Sequence, residues 1–324
     1  MKDLYNFIEE SMLTKTSTKV DQTNALLDNQ IKSDIIHFIE SYYYKKRDTT
    51  FKFTKKGDKF VVDVDGGLGF NEKFGKELTS LTNDYFVFGK VTGTFDCNYA
   101  ENIESLEGAP KEVGGDFECI LCKKLTTLEG APKKVGGDFY CKECYIESLK
   151  GAPKEVGGDF YCGRCHNITS LKGAPKEVGG SFYCGECENL TSLKGAPKKV
   201  GGSFCCEKCN LLKTLEGGPE IVMSRFICAR CKGLTSLKGA PKEINGPDSV
   251  NQVTVSLDCS WCSSLNSLEG CTPNLKAMSI EGCKSLKSLQ GAPKVSQFFN
   301  AKYCGFSESD VTKEIGYCKR ILVK

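Results

Sequence analysis

Hydrophobic and polar positions recur along most of this chain with a period of about 22 residues. Within one repeat, the stretch from Asp159 to Cys162 alternates polar and apolar side chains, which predicts a short strand with one buried face. Two spaced aliphatic residues, Ile168 and Leu171, follow, and Gly-Ala-Pro then turns the chain back. Each repeat therefore supplies enough buried residues to stack on its neighbours but too few to fold alone.

Two columns of side chains, each made of the residues at one inward-facing position of successive repeats, define the register of the repeats. The first column consists of Phe95, Phe117, Phe139, Phe160, Phe182, Phe204, Phe226, Leu257, Met278 and Phe299. The second consists of Cys97, Cys119, Cys141, Cys162, Cys184, Cys206, Cys228, Cys259, Ile280 and Ala301. This periodicity predicts a repeat solenoid of ten coils behind a degenerate capping coil, with a parallel β-sheet on one face and an irregular, turn-rich outer side.

The predicted domain organisation has three parts: a small helical or α+β N-terminal segment (1–56), the solenoid (57–304) and a C-terminal cap helix (305–324). In the first part we expect an amphipathic helix from Lys2 to Leu13. A second helical face is marked by Ile31, Ile35, Phe38, Ile39 and Tyr42. Two strands, 50–54 and 60–64, are expected to flank a turn at 56–58.

The last helix is expected to start at Ser307 or Ser309 and to continue through Lys319. It would cover the end of the phenylalanine column with Ile315, Cys318 and Leu322. A polar insertion, residues 245–251, accounts for the one long step between repeats.

The repeat resembles the leucine-rich-repeat family. The family pattern L-x-x-L-x-L-x-x-[N/C]-x-x-L appears here as Gly157-x-x-Phe160-x-Cys162-x-x-Cys165-x-x-Ile168, so glycine, phenylalanine and cysteine stand where the family has its first three leucines. The resemblance covers residues ~75–304 and implies a leucine-rich-repeat fold, but a fold of this kind does not define a function.

A second resemblance concerns short sequence elements within the repeats. The Cys-x-x-Cys, Leu-Thr-Ser-Leu and Gly-Ala-Pro-Lys-Glu-Val-Gly-Gly elements are similar to repeat proteins of gut bacteriophages and Bacteroidetes. The opening segment from Lys2 to Leu13 is similar to N-terminal tags of tailed-phage structural and accessory proteins. These likenesses imply a phage-encoded accessory or virion-associated protein whose N-terminal segment is an attachment tag.

Pairs of cysteines allow two interpretations. The Cys-x-x-Cys pairs are Cys119/Cys122, Cys141/Cys144, Cys162/Cys165, Cys184/Cys187, Cys206/Cys209, Cys228/Cys231 and Cys259/Cys262. Two pairs can form a four-cysteine zinc site, so a zinc-binding repeat protein is the alternative hypothesis. A ladder of buried structural thiols is favoured, because Ile280 replaces the first cysteine in register while Cys283 and Cys304 persist alone. On this interpretation no metal and no cofactor is expected.

Charge and composition narrow the choice of partner. The 324 residues include 44 basic and 41 acidic ones, a net charge of +3, whereas a nucleic-acid binder usually has a concentrated basic surface. The lysine row Lys111, Lys133, Lys154, Lys176, Lys198, Lys242 and Lys294 is interleaved with glutamates and is typical of a solvated edge. The chain contains no apolar run of ~18 residues, the length that would predict a membrane span. The opening residues lack the apolar core of a secretory signal, so we expect a cytoplasmic protein with reduced thiols, in a host cytoplasm or virion if phage-encoded.

Catalysis has little support in the sequence. The chain has two histidines and contains no nucleophile elbow, phosphate loop or acidic metal cluster. We therefore predict that the protein is not an enzyme. An enzyme whose site lies in residues 1–56 is the lowest-ranked alternative.

The outward side chains of the predicted concave sheet are the candidate binding residues. The tyrosines of three consecutive repeats stand beside acidic and basic side chains, a combination typical of protein-binding hot spots. Packing of adjacent strands would also favour tyrosine there, and this alternative stays open. The candidate residues are Tyr140, Tyr161, Tyr183, Asp138, Asp159, Arg164 and Trp261. The function expected from the sequence is a non-enzymatic scaffold that binds a protein partner.

Overall fold

A computed structural model describes residues 20–45, 48–70, 72–246 and 254–324. They form a parallel β-solenoid of about 11 stacked turns with few helices. The predicted helix from Lys2 to Leu13 and most of the 245–251 insertion lie outside the described residues.

The elements of the described residues are as follows. The helices are α1 (Val20–Tyr42), α2 (Glu72–Glu77) and α3 (Glu308–Ile315). The strands are, in chain order, β1 (Tyr43–Lys45), β2 (Thr50–Lys56), β3 (Lys59–Asp65), β4 (Leu68–Phe70), β5 (Phe86–Val91), β6 (Phe95–Asp96), β7 (Glu112–Val113), β8 (Phe117–Glu118), β9 (Lys134–Val135), β10 (Phe139–Tyr140), β11 (Glu155–Val156), β12 (Phe160–Tyr161), β13 (Glu177–Val178), β14 (Phe182–Tyr183), β15 (Lys199–Val200), β16 (Phe204–Cys205), β17 (Ile221–Val222), β18 (Phe226–Ile227), β19 (Glu243–Ile244), β20 (Leu257–Asp258), β21 (Asn274–Ser279), β22 (Lys294–Asn300) and β23 (Arg320–Leu322).

Two ladders of strands run along the solenoid. The long sheet of the described residues has 13 strands, in the order β1, β4, the even-numbered strands from β6 to β20, β21, β22 and β23. Its strands pair in parallel except β1, which is antiparallel to β4. On an adjacent side, strands such as β11 form a second ladder, divided into sheets of six and four strands. The sequence predicted the long sheet but an irregular outer side, and it missed this second ladder.

A pair of glycines separates the two strands in most coils, although Met223 and Ser224 stand there between β17 and β18. Gly157 and Gly158 follow β11 and precede β12, and both have ordinary negative φ angles. A Cβ atom on Gly157 would overlap the carbonyl oxygen of Gly136 in the preceding coil, and one on Gly158 would overlap the Asp138 carboxylate. At this corner, glycine therefore avoids a clash with the preceding coil.

Inside each coil, the predicted columns form one continuous core. Phe95, Phe117, Phe139, Phe160, Phe182, Phe204, Phe226 and Phe299 are fully buried. Neighbouring rings between Phe95 and Phe226 stack with centroids 5.0 to 5.7 Å apart. The first-cysteine column and the aliphatic columns lie against them in the same cluster. The register of the buried columns inferred from the sequence is confirmed.

The N-terminal elements join both ladders. Helix α1 buries Ile35 and Ile39 completely, as its apolar spacing predicted. Strands β2 and β3 pair antiparallel, and β3 continues the second ladder through its parallel pairing with β5. The predicted domain boundary at residue 56 falls at the turn of this hairpin and stays a prediction.

The C-terminal end differs from expectation in one respect. Ser307 caps α3, its side chain accepting the Asp310 amide, while Val311 and Ile315 are buried. The helix ends at Ile315 rather than continuing to Lys319, because Gly316 adopts a φ of 75°. The chain then forms β23, which pairs in parallel with β22 and adds a final strand to the long sheet.

We predict that replacing Phe160 with alanine lowers the stability of the fold strongly. The ring is fully buried and stacks on both neighbours, at 5.1 and 5.0 Å. Loss of a buried aromatic ring typically costs about 3–5 kcal/mol. Urea unfolding followed by circular dichroism would measure the shift, with exposed Lys154→Ala as the control. Equal midpoints for the two variants would contradict the assigned register.

Candidate binding face

The three candidate tyrosines form a stacked ladder on the outward side of the long sheet. Tyr140, Tyr161 and Tyr183 occupy the same register position in strands β10, β12 and β14. Consecutive rings stack with centroids 4.5 Å apart and planes within 5° of parallel. Each side chain is partly exposed. Because the ring faces cover one another, mainly ring edges and hydroxyl groups are available to a partner.

The two candidate aspartates hold this ladder in place. Oδ1 of Asp138 accepts the backbone amide of Asp159 in the next coil at 2.7 Å, and Oδ1 of Asp159 accepts that of Ser181 at 2.6 Å. The other oxygens accept the hydroxyls of Tyr140 and Tyr161, both at 2.8 Å. Both oxygens of each aspartate thus accept hydrogen bonds from within the solenoid. The main role of these carboxylates is to position the tyrosines, rather than to bind a partner's cationic groups.

The environment of these hydroxyls keeps them protonated. Burial raises the pKa of Tyr140 and Tyr161 well above its usual range, and the hydrogen bonds to the aspartates raise it further. In the third coil, Ser181 replaces aspartate, so Tyr183 lacks that partner. Tyr140 and Tyr161 therefore present neutral phenols at physiological pH.

Arg164 stands beside the ladder in a row of alternating charge. Its guanidinium lies 3.2 Å from Glu186 and 3.7 Å from Glu143, and Lys208 lies 3.1 Å from Glu186. Glu186 raises the pKa of Arg164, while Lys208 and Arg164 lower that of Glu186. Exposed pairs of this kind contribute little stability, so they matter mainly as a charge pattern. Tyr161, Tyr183, Arg164 and both glutamates line a shallow depression of about 260 Å³.

The row that contains Arg164 has an unusual backbone. Its members lie between the positions of the first and second cysteines of each coil, in left-handed turns with φ between 56° and 71°: Tyr99, Leu121, Glu143, Arg164, Glu186, Lys208, Arg230, Trp261, Gly282 and Tyr303. The sequence interpretation placed this row on the strand, which is wrong because the strand ends before it. A left-handed conformation costs about 1 kcal/mol or more for residues other than glycine. Nearly every coil nevertheless has a side chain there, which marks this edge as a surface where side chains are retained at the expense of stability.

The candidate residues do not all lie together. The tyrosines, both aspartates and Arg164 are on neighbouring coils, whereas Trp261 lies four coils beyond Arg164 in the left-handed row. From the sequence, these residues form one group because they occupy equivalent columns, but residues of one column can be several coils apart along the solenoid. Glycine at position 282 was the one sequence signal for the left-handed turns.

The cysteines form a ladder of thiol-to-carbonyl hydrogen bonds. Sγ of Cys165 donates to the carbonyl of Cys141, one coil earlier, at 3.1 Å, and Sγ of Cys144 donates to that of Cys119 at 3.0 Å. The equivalent contact is made by Cys122, Cys187, Cys209, Cys231, Cys262, Cys283 and Cys304. From the sequence, the second cysteine is expected to face buried backbone amides at the strand exit. The correction is that its thiol faces carbonyl oxygens, which lack a ladder partner where the strand ends.

The thiols are buried and reduced in this structure. All but Cys271, Cys304 and Cys318 of the 20 cysteines are buried, and none forms a disulfide. Burial raises the pKa of Cys162 and Cys184 well above the usual range, and that of Cys187 to about 12. Among the described residues, no group of three or more His, Cys, Asp or Glu side chains could hold a metal ion.

Comparison with known proteins adds no relative: no family model, curated protein or solved structure matches this chain significantly. In the described part of the chain, no helix is long and apolar enough to cross a membrane. The geometry of the repeat thus defines the class of protein, a parallel β-solenoid with two strands in most coils.

We predict that position 165 tolerates hydrogen-bond donors better than aliphatic residues of similar or larger size. Cys165→Asn and Cys165→Ser keep a donor for the Cys141 carbonyl, whereas Cys165→Val and Cys165→Leu leave that carbonyl unpaired. An unsatisfied buried polar group costs about 1–3 kcal/mol. Thermal unfolding of the four variants would rank them. A valine variant as stable as wild type would show that the thiol contributes by packing alone.

We predict that the fold loses stability steeply at alkaline pH. Folded thiols such as Cys162 have a raised pKa, whereas thiols of an unfolded chain ionise near pH ~8.5. Stability is therefore fully present below pH ~8.5 and is lost as pH rises further, by about 1.4 kcal/mol per pH unit for each such thiol.

Unfolding midpoints between pH 7 and 10, measured with a reductant, would test this. A variant with both Cys162→Ala and Cys165→Ser should show a shallower decline. Zinc-bound thiolates would give the opposite profile, with stability lost on acidification.

Proposed function

We propose that this chain is a non-enzymatic scaffold that binds a protein partner through the outward side of its long sheet. The stacked ladder of Tyr140, Tyr161 and Tyr183 carries the proposal. Tyrosine offers a large amphipathic contact area with few rotatable bonds, and for this reason it is enriched in binding surfaces.

Preorganisation supports this role. Asp138 and Asp159 fix the hydroxyls of two of the tyrosines, and the Tyr161 ring is held between the rings of Tyr140 and Tyr183. Side chains that are already ordered lose little entropy when a partner binds, so more of the contact energy appears as affinity. The fixed hydroxyl oxygens can still accept hydrogen bonds from a partner.

The charged row beside the ladder supports a protein partner over a polyanion. Glu143, Arg164, Glu186 and Lys208 alternate in sign and lie within ion-pair distance of one another. A partner with its own mixed charges could exchange these exposed pairs for intermolecular ones at small net cost, which favours specificity. A phosphate backbone would meet two carboxylates here.

We further propose that the solenoid is of the leucine-rich-repeat type. The buried Phe160, Cys162 and Ile168 at the family's leucine positions support it, as does Cys165 at its Asn/Cys position. The proposal of a phage-encoded accessory or virion-associated role rests on two resemblances. The repeat sequence elements are similar to repeat proteins of gut bacteriophages and Bacteroidetes, and residues 2–13 are similar to N-terminal tags of tailed-phage proteins. An attachment function for that N-terminal segment belongs to the same proposal.

We predict that changing Tyr140, Tyr161 and Tyr183 together to serine weakens partner capture strongly while the fold persists. The rings point away from the core, so the coils should still stack, and loss of hot-spot tyrosines should weaken binding about tenfold or more. Pull-down from the native cytoplasm with quantitative mass spectrometry would compare the variant with wild type.

The matched control replaces three outer-edge lysines, Lys111, Lys154 and Lys176, with glutamine. It should capture the same partner as wild type. If the lysine variant loses the partner and the tyrosine variant retains it, the outer edge is the binding surface, and an acidic or nucleic-acid ligand becomes the better hypothesis.

A further inference from the structure

Two exposed aromatic side chains converge near the C-terminal end of the left-handed row. Trp261 and Tyr303 belong to coils that are two steps apart, a backbone separation of about 9–10 Å in a β-ladder. Their ring centroids are only 6.0 Å apart, with planes inclined by 35°. The rings therefore lean towards each other across the coil between them, and they remain 42% and 56% exposed.

The coil between them contains the glycine that makes this convergence possible. A Cβ atom on Gly282 would lie 2.5 Å from Cε3 of the Trp261 ring. The backbone does not require glycine here, because nine other coils place larger residues in the same left-handed conformation. The absence of a side chain at position 282 thus lets the indole pack over the backbone of the next coil, while 42% of Trp261 remains exposed.

Polar groups flank the aromatic pair on the sheet side. Ser260 and Ser279 join through their hydroxyls at 2.7 Å, and Asn300 donates to Oε2 of Glu281 at 2.8 Å. The Asn300 contact holds the carboxylate of the half-buried Glu281, the residue before Gly282. Oε1 of Glu281 and Oδ2 of Asp258 have no hydrogen-bond partner among the described residues. Two carboxylates, each with one oxygen available as an acceptor, therefore belong to the coils of Trp261 and Gly282.

We propose that Trp261, Gly282 and Tyr303 form a carbohydrate-binding platform that takes a neutral pyranose ring. The electron-rich faces of the two rings suit the polarised C–H groups on one side of a sugar, and the carboxylates suit its hydroxyl donors. The mixed local charge argues for a neutral ligand. Asp258 and Glu281 disfavour the phosphates of a nucleotide, while Arg230 and Lys302 in the adjoining positions disfavour an organic cation.

This platform lies three or more coils away from the tyrosine ladder, so it stands independently of the proposed protein-binding role. A scaffold with both surfaces could hold a protein partner against a glycan-coated surface. Failure of either proposal would leave the other intact.

The single tryptophan of the chain makes the test direct, because all tryptophan fluorescence comes from Trp261. The probes are cellohexaose, chitohexaose and mannohexaose, each titrated up to about 10 mM, with an oligothymidylate as the competing ligand class. We expect a saturable fluorescence change with at least one hexasaccharide and none with the oligothymidylate. No change with any sugar, or a response to the oligothymidylate alone, would overturn the proposal.

Variants separate ring geometry from ring identity. Gly282→Ala keeps both aromatic residues and a tolerated backbone but displaces the indole, so it should weaken sugar binding about tenfold, as should Tyr303→Ala. Tyr99→Ala, in the same row at the other end of the solenoid, should bind as wild type. Calorimetry would confirm the affinities and extend the test to Trp261→Ala, and circular dichroism with thermal midpoints would verify the fold. Equal affinity of Gly282→Ala and wild type would refute the platform.

Discussion

Backbone hydrogen bonds between equivalent positions of successive coils are the constraint on which this structure depends. On the long sheet, the amide of Phe160 bonds to the carbonyl of Ser181 at 2.8 Å, and the amide of Cys162 bonds to that of Tyr183 at the same distance. Strands joined in this way lie about 4.8 Å apart, so every side chain stands next to its counterpart in the next coil. A residue type is stable in a coil only if it can stack on itself or on its replacement.

Each column solves that stacking problem in its own way. Phenylalanines stack face to face, and corner glycines leave no atom to collide. Aspartates would repel one another, but Oδ1 of Asp138 accepts the amide of Asp159, and Oδ2 accepts a tyrosine hydroxyl. In the middle of the left-handed row, from Glu143 to Lys208, glutamate alternates with arginine or lysine. The thiols of the second cysteines donate hydrogen bonds to carbonyl oxygens that have no backbone partner in the strand ladder.

The same constraint shapes the surfaces proposed for binding. A tyrosine ladder is rigid because each ring is already packed, and an aromatic platform arises where the column is interrupted by Gly282. Both surfaces lie along one side of the solenoid but on different coils. A repeat fold can therefore carry separate recognition surfaces, since a change in one coil disturbs only its nearest neighbours.

The sequence alone determined the period, the inward columns and the helical face of Ile35 and Ile39, because burial imposes a regular spacing that survives in one dimension. It also indicated that Cys165 is a structural position. The tertiary structure decided the rest. The second ladder, the left-handed conformation at Arg164 and the approach of Trp261 to Tyr303 depend on contacts between residues at least 20 positions apart. Such contacts depend on how closely the coils approach one another, and the local order of polar and apolar residues does not predict that distance.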